Sequence, residues 1–320
     1  MDYIPIDQLA QLRGSQIDSF YLVRSIEVRT SKAGKEYIDL KLSDATGEVA
    51  GKCWDVDDFR RKLTAGETVK IRALVEEYMG STQLNVKIIR LPELNDELDM
   101  SKLVPSAPDD PEAMLGQVLE AVAGIKLLPL RYLVETLIDD KKEALLMAPA
   151  AMSMHHAVRS GLLMHTTTML RAGLAMLAVY PKLSYDWLVA GIVVHDLGKI
   201  EEMVVGPIGL ASEYSVDGQL IGHITRGVVN IAKAADKIDC DPAIAQVLEH
   251  MVLSHHEVPE FGSPKPPQTP EAEMLQTLDR LDARMYDHFH ALAGVDPGEF
   301  SGQVFSMGRR KLYAPPEFES

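Results

Sequence analysis

The sequence predicts a two-domain protein in which a small β-barrel is followed by an all-α helical domain. β-branched, partly alternating segments fill the first 95 residues, whereas apolar residues recur with helical spacing after residue 110. Residues 1–90 contain 14 basic and 14 acidic residues, and the rest of the chain contains 18 and 33, which accounts for the entire net charge of −15. All ten histidines lie between His155 and His290. The two parts therefore differ in chemistry as well as in fold class.

The composition excludes several classes of protein. The chain has 320 residues, of which 46% are hydrophobic and 25% charged, a globular balance long enough for two domains. Its two cysteines, Cys53 and Cys240, are too few for a disulfide scaffold or a cysteine zinc site, so we expect a reducing, cytoplasmic location. The first residues do not read as a secretion signal, and no apolar run suggests a membrane partner. The acidic charge argues against a surface that binds nucleic acid throughout.

Five strands are predicted in the first domain, with turn residues between them. A short helix is predicted between the third and fourth strands, with Asp55 as its N-cap and its end near Gly66. Three strands, a helix and two strands are the order of an oligonucleotide/oligosaccharide-binding (OB) barrel, although five strands also suit other small barrels. The predicted strands cover residues 17–30, 36–44, 47–54, 68–78 and 82–91.

An OB barrel commonly binds single strands by stacking bases on aromatic side chains beside basic residues. We take Tyr37 and Trp54 as substrate-binding candidates, with Tyr21 and Tyr78 as further candidates for stacking. The alternative is that most of these aromatics fill the barrel core, and that the basic run 60–62 is a solvated helix face. The candidate phosphate partners are Lys32, Lys35, Lys52, Arg60, Arg61 and Lys87.

An acidic, proline-bearing segment without periodicity separates the two domains. We divide the chain into the barrel at 1–95, a linker at 96–110, the helical domain at 111–310 and a tail at 311–320. Glycine and proline become frequent after about residue 294, so we expect the chain to lose order there. The predicted helices cover residues 111–124, 129–147, 152–179, 184–197, 219–237, 241–256 and 270–293.

Histidines and aspartates recur in or beside the apolar helical segments of the second domain. An ionisable side chain in such surroundings is costly unless it is paired or bound to a metal. Neutral imidazoles with carboxylates suit Mn²⁺, Fe²⁺ or Zn²⁺ better than Ca²⁺. The pattern therefore indicates a metal site, although a lone histidine on an apolar helix face is usually a core residue. The residues that form this pattern are His165, the adjacent His195 and Asp196, His223, the adjacent His255 and His256, and Asp279.

This order, with HDLGK at 195–199, resembles the HD-domain superfamily of metal-dependent phosphohydrolases, whose pattern is H…HD…D on helices. The resemblance implies a primary metal site formed by His165, His195, Asp196 and Asp279. It further implies a second ion held by the remaining histidines, with Asp196 bridging the two ions and acting with Lys199 in catalysis. The second set comprises His223 and either His255 or His256. We expect two divalent ions and favour Mn²⁺, with Fe²⁺, Mg²⁺ and Zn²⁺ as alternatives.

The motifs MHHAVRSGLLMHT, GH, LSHH and the segment 261–285 resemble the YhaM-type 3′–5′ exoribonucleases, which join an N-terminal OB domain to an HD domain. That resemblance covers roughly residues 15–310 and implies single-stranded RNA or single-stranded DNA as the partner. One departure is Glu257, which stands after the histidine pair where a glycine is expected.

Several assignments have alternatives. Asp282 competes with Asp279 as a ligand, and Lys199 either caps a helix or neutralises a phosphate. The competing functions are an HD-type phosphohydrolase or phosphodiesterase of small nucleotides, and a non-catalytic single-strand-binding protein. The sequence leaves open whether copies of the chain associate. Further substrate-binding candidates are His156, Arg159, Arg226 and Lys265.

Overall fold

The protein is described by a computed structural model that covers residues 3–31, 34–78, 80–93, 95–96, 98–152, 156–206 and 208–316. The chain divides into two compact units, Met1–Ser106 and Ala107–Ser320. Two residues considered above, Lys32 and His155, lie outside the described residues.

The first unit is a closed five-stranded barrel with the strand order β1-β2-β3-β5-β4. Neighbouring strands are antiparallel except β3 and β5, which close the barrel as a parallel pair that matches Ala50 to Gln83 and Cys53 to Val86. The predicted OB-like barrel is therefore confirmed, with its strands in the expected order. The strands are β1 Gln16–Thr30, β2 Glu36–Asp44, β3 Gly47–Cys53, β4 Thr68–Tyr78 and β5 Ser81–Arg90.

Alternating residues of these strands fill the barrel interior, where Val23, Leu42 and Leu84 are fully buried. A 3₁₀ helix at Ile6–Leu12 adds Leu9 to this core. The carboxylate of Asp44 accepts hydrogen bonds from the Ile6 amide at 2.7 Å and from backbone amides of the turn that follows it. Burial of apolar surface therefore stabilises the barrel, and one hydrogen-bonded carboxylate ties the N-terminal segment to it.

The short helix of the barrel, α1 at Asp58–Lys62, begins later than predicted. Its N-cap is Asp57, whose side chain accepts a hydrogen bond from the Arg60 amide at 2.7 Å. Asp55, the predicted cap, instead accepts a hydrogen bond from the Arg60 guanidinium at 2.6 Å. Several nearby aspartates compete for the cap, and only the one with extended backbone directly before the first turn can serve. A second short helix, α2, spans Met100–Leu103.

The second unit is a helical bundle whose apolar core is formed by α3, α4, α6, α7, α10, α11 and α12. Two small hairpins, β6–β7 and β8–β9, interrupt the predicted all-α pattern, and the second forms where the sequence predicted loss of order. The helices are α3 Pro111–Ala123, α4 Leu128–Asp139, α5 Lys142–Leu145, α6 Gly161–Val179, α7 Tyr185–Val194, α8 Lys199–Glu202, α9 Val216–Leu220, α10 Gly222–Lys237, α11 Pro242–Ser254 and α12 Pro270–Leu292. The hairpin strands are β6 Met203–Val205, β7 Ala211–Tyr214, β8 Phe300–Val304 and β9 Arg310–Tyr313.

Helix α6 is long and apolar enough to cross a membrane by length and composition, contrary to the expectation that no segment would be. It packs against α3, α7 and α12 within the bundle, and its residues Leu162, Leu163 and Met169 are fully buried. These contacts are typical of the core helix of a globular bundle, which satisfies the same criteria.

Gly198 permits a close backbone approach between the turn after α7 and the start of α10. A Cβ at this position would lie 2.2 Å from the carbonyl oxygen of His223. Real side chains do not tolerate such a distance, so only glycine allows the two segments to meet here. This approach brings the residues that precede Gly198 next to His223.

Candidate functional site

Five segments of the helical unit bring the ring nitrogens and carboxylate oxygens of their histidines and aspartates close together, and we call the space between these atoms the cavity. The first cluster comprises His165 on α6, His195 and Asp196 in the turn after α7, and Asp279 on α12. The Nε2 atom of His165 lies 3.2 Å from Nε2 of His195 and 3.3 Å from Oδ1 of Asp279. Nε2 of His195 lies 3.4 Å from Oδ2 of Asp196. These four residues are the predicted primary set, and the fold brings them together.

The second cluster comprises His223 at the start of α10 and the adjacent His255 and His256 after α11. One ring nitrogen from each of these three residues lies within 4.8 Å of the others. Oδ1 of Asp196 lies 3.6 Å from Nε2 of His223 and 3.7 Å from Nε2 of His255. Asp196 thus turns Oδ2 toward the first cluster and Oδ1 toward the second. His255 and His256 both belong to this cluster, so the structure is compatible with either histidine as the ligand that the sequence left open.

Each of the five imidazoles is held at Nδ1, on the side of the ring away from the shared cavity. Nδ1 of His165 contacts Asp282 at 2.7 Å, and Nδ1 of His223 contacts Glu202 at 2.9 Å. A ring whose Nδ1–H is donated outward has a free electron pair on Nε2, the tautomer that ligates metals. The other three rings bond to backbone carbonyls: His195 to Ile192 at 2.8 Å, His255 to Val252 at 2.7 Å and His256 to Phe261 at 2.7 Å.

The donor set of this cavity fits divalent metal ions. Oδ1 of Asp196 and Nε2 of His223 and His255 are buried and have no hydrogen-bond partner among the described residues. Burying polar atoms without partners is costly, and a bound cation would satisfy all three at once. Imidazole nitrogen with carboxylate oxygen is a set that suits Mn²⁺, Fe²⁺ and Zn²⁺. The clusters therefore could hold metal, and their chemistry does not select one of these ions.

The charges in the cavity are strongly coupled. Burial opposes ionisation of Asp196, but Lys199 and His195 outweigh burial and hold the pKa of this carboxyl well below its usual range. Burial also opposes the charge on His165, yet hydrogen bonds with Asp279 and Asp282 raise its pKa to about 9. Burial lowers the pKa of His255 well below its usual value, so this ring is neutral at pH 7. The cavity is therefore anionic at its aspartates and compensated by Lys199 and His165.

The predicted phosphate-binding residues have different surroundings. Nζ of Lys199 lies 2.7 Å from Oδ2 of Asp196, inside the cavity, and this contact raises its pKa despite burial. Arg226 is paired with Asp217 through two hydrogen bonds, so its guanidinium is already engaged. Arg159 is half-buried beside Gly209, and Lys265 is exposed in the segment before α12. Of these residues, only Lys199 is brought to the clusters.

Two carboxylates near the clusters were not predicted as positioning groups. Asp282 contacts both His165 at Nδ1 and His156 at Nε2, the latter at 2.8 Å, so it lies behind the first cluster and not beside Asp279 within it. Glu202 holds His223 in the same way. The sequence signal for Asp282 was its spacing of one helical turn from Asp279. Glu202 had no such signal, because its partner lies 21 residues away.

Tyr37 and Trp54 form an aromatic surface on the barrel. Their ring centroids lie 4.9 Å apart, and 39% of Trp54 is exposed. Nζ of Lys52 lies 5.3 Å from the centroid of Tyr37 and 5.2 Å from that of Tyr78, which is 56% exposed. We call Tyr37, Lys52, Trp54 and Tyr78 the aromatic face. It lies at the start of β2, the end of β3 and the end of β4, next to the β1–β2 and β4–β5 turns.

Some of the other barrel candidates are unsuited to binding a strand. Tyr21 is fully buried and its hydroxyl donates to the Ile4 carbonyl at 2.7 Å, so it belongs to the core. Arg60 is buried and bonded to Asp55, and Arg61 pairs with Glu36 at 2.5 Å. Lys35 and Lys87 are exposed. Tyr21 therefore fills the barrel core, whereas Trp54 and Tyr78 are exposed and stay candidates for stacking.

Comparison with protein families finds that residues 163–284 match the model described as "HD domain". The match contains both clusters, Lys199 and the two carboxylates behind the histidines. The solved structures that resemble parts of this chain include a replication protein A heterotrimer bound to ssDNA, at 14% identity and a TM-score of 0.21 over 24% of this chain and 57% of that one.

Two further similar structures are the second OB-fold domain of replication protein A from Methanococcus maripaludis and a putative aspartyl-tRNA synthetase from Leishmania major Friedlin. The first is 16% identical, with a TM-score of 0.21 over 27% of this chain and 91% of that one. The second is 14% identical, with a TM-score of 0.24 over 44% of this chain and 32% of that one. Similarities at these TM-scores give no information about the activity of this chain.

Proposed function

We propose that the protein is a metal-dependent 3′–5′ exoribonuclease, because residues 163–284 match an HD domain and follow an OB-like barrel. The match to an HD domain favours a metal-dependent phosphohydrolase, and the more specific activity is also our proposal. Single-stranded RNA is the proposed substrate, and single-stranded DNA is the closest alternative. The 3′-to-5′ direction follows from the resemblance to YhaM-type enzymes.

The observation that carries the proposal is the geometry of the two clusters around Asp196. Five imidazoles present Nε2 to one cavity, and the two oxygens of a single carboxylate face one cluster each. In this arrangement His165, His195 and Asp279 would hold one ion, and the three remaining histidines would hold another, with Asp196 shared. Such a pair supplies an activated water at neutral pH and neutralises charge on a phosphodiester.

The chain's own residues would bind and orient the substrate phosphate. The side chains of His256 and Asp279 are 25% and 15% exposed, whereas those of His165, His195 and His255 are at most 2% exposed. The His223 side chain is 14% exposed, close to the value for Asp279, so the cavity is most exposed at His256 and the scissile phosphate would enter there. Lys199, protonated because of its contact with Asp196, would add positive charge against the anionic phosphate.

The aromatic face of the barrel supports a strand as the substrate in preference to a mononucleotide. Stacking on exposed rings tolerates any base sequence, and a lysine between two tyrosines can pair with a phosphate while contacting both rings. A free nucleotide needs no such platform. The barrel would hold the upstream part of the strand and raise its effective concentration at the HD domain.

The test is incubation of the purified protein with Mn²⁺ and single-stranded RNA labelled at the 5′ end. A ladder of products shortened from the 3′ end supports the proposal, and Asp196→Ala should abolish the ladder while the protein remains folded by circular dichroism. Turnover of free nucleotides without a ladder would favour a nucleotide phosphohydrolase. Binding without any cleavage would leave a single-strand-binding protein.

A further inference from the structure

Glu257 has a strained backbone directly after the histidine pair of the second cluster. Its φ is +69°, in the left-handed region that non-glycine residues seldom adopt. The turn around it is held by hydrogen bonds from the Glu257 amide to the Ser254 carbonyl at 2.9 Å and from the His256 amide to Ser263 at 3.0 Å. This backbone reverses the chain after α11 and points His256 into the cavity.

The side chain of Glu257 reaches from this turn to α12, the helix that carries Asp279. Oε2 accepts a hydrogen bond from Nε2 of Gln276 at 3.2 Å and lies 3.7 Å from Nη1 of Arg280. Gln276 is 5% exposed, whereas the side chains of Arg280 and Glu257 are 57% and 48% exposed. The exposed ion pair contributes little, so the bond from the buried amide is the important one.

These contacts connect the turn that follows His256 to α12, the helix that carries Asp279. Gln276 and Arg280 lie one helical turn apart on α12 and flank Asp279, and Nε2 of His256 lies 3.8 Å from Oδ2 of Asp279. A strained residue persists only where the surrounding contacts hold it. The strain at Glu257 and its bond to Gln276 therefore have one common effect, which is to fix the distance between a histidine of one cluster and an aspartate of the other.

We propose that Glu257 is a positioning residue that holds the histidine turn against α12 and so sets the separation of His256 and Asp279 for metal binding. The inference rests on the proposed metal binding of the clusters and adds a residue that would act through His256 and Asp279. A residue with a purely structural role would change stability, and its effect on metal affinity would follow the loss of stability.

The experiment compares Glu257→Gly with Glu257→Gln in the full chain, by Mn²⁺ titration calorimetry and by thermal unfolding of the metal-free protein. Glycine relieves the backbone strain but removes the acceptor for Gln276, so these effects oppose each other and we expect Tm to change by less than about 4 °C. We expect Mn²⁺ affinity to fall about tenfold, in the range found when groups behind metal ligands are removed. Glutamine retains an acceptor oxygen and should bind Mn²⁺ within about threefold of the native protein.

The matched control is Arg309→Gly, because Arg309 is another long side chain at positive φ, +61°, and lies in the C-terminal hairpin. It should leave Mn²⁺ affinity unchanged. Native-like affinity in Glu257→Gly, or equal losses in Glu257→Gln and Glu257→Gly, would overturn the proposal. If Glu257→Gly does not fold, Gln276→Leu removes the same bond from the other side and must show the same loss of affinity. Both readouts are independent of RNA, so failure of the exonuclease assay would not affect them.

Discussion

The aromatic face allows the strand-binding role of the barrel to be tested separately from hydrolysis. Trp54→Ala removes an exposed ring whose centroid lies 4.9 Å from that of Tyr37. Stacking of one base on an aromatic side chain is worth about 1–3 kcal/mol, so the substitution should weaken binding of a single strand by about 5- to 150-fold. Hydrolysis of a small phosphodiester such as bis(p-nitrophenyl) phosphate should be unchanged, because that substrate has no base to stack.

The control for this substitution is Phe59→Ala on α1 of the same barrel. Phe59 is 41% exposed and Trp54 is 39% exposed, so the two residues are buried to a similar fraction. Among the described residues, the Phe59 ring does not contact the aromatic face. A difference in RNA binding between the two variants therefore reports stacking and not a general loss of barrel stability.

The assay is fluorescence anisotropy of a labelled ten-nucleotide RNA with metal-free protein, so that cleavage does not deplete the ligand. Salt must be held constant, because phosphate contacts make the affinity depend on it. If Trp54→Ala binds as tightly as the native protein, or if Phe59→Ala loses as much affinity, the aromatic face is not where the strand stacks.

Three further predictions concern the two histidine–aspartate clusters. Asp282→Asn should lower Mn²⁺ affinity by about 10- to 100-fold in calorimetry, because it weakens the acceptor that orients His165, whereas Asp287→Asn on the same helix should have no effect. Gly198→Ala should reduce bound metal in elemental analysis at unchanged helix content, since its Cβ would force the His223 backbone away; full occupancy would refute this. Burial opposes the charge on His165, but its aspartate partners raise its pKa to about 9, so the metal must displace a proton at pH 7. Mn²⁺ affinity should therefore rise as pH increases from 6.5 to 9, with proton release measured in buffers of different ionisation enthalpy, and a pH-independent affinity would contradict it.

The convergence of the clusters could be anticipated from the sequence because ionisable residues on apolar helix faces have few stable environments. The assignment of His165, His195, Asp196 and Asp279 to one cluster came from the resemblance to the HD-domain superfamily, which HDLGK carries. The positions of Glu202 and Asp282 were harder to predict, since a carboxylate behind a histidine has no fixed separation in sequence from the ring it holds.

The barrel shows a different limit. Strand order followed from alternation and turn residues, but Tyr21 and Tyr37 look alike in the sequence, and only the closed barrel makes one a core residue and the other part of the surface. The same limit applies to basic residues. Arg226 is a reasonable phosphate partner in the sequence, but in the fold its guanidinium is paired with Asp217. The hairpins of the helical unit are short and lack a long alternating pattern, so the helical periodicity around them obscured their signal.

The five imidazoles differ in the groups that hold them at Nδ1. His195, His255 and His256 depend on main-chain carbonyls, which no side-chain substitution can remove. His165 and His223 depend on carboxylates, and each of these belongs to a different cluster. Exchange of Asp282 or Glu202 for an amide would therefore alter the basicity of one ligand in one cluster alone. A substitution at Asp282 or Glu202 could therefore change the metal affinity of one cluster, while the three rings held by main-chain carbonyls keep their orientation.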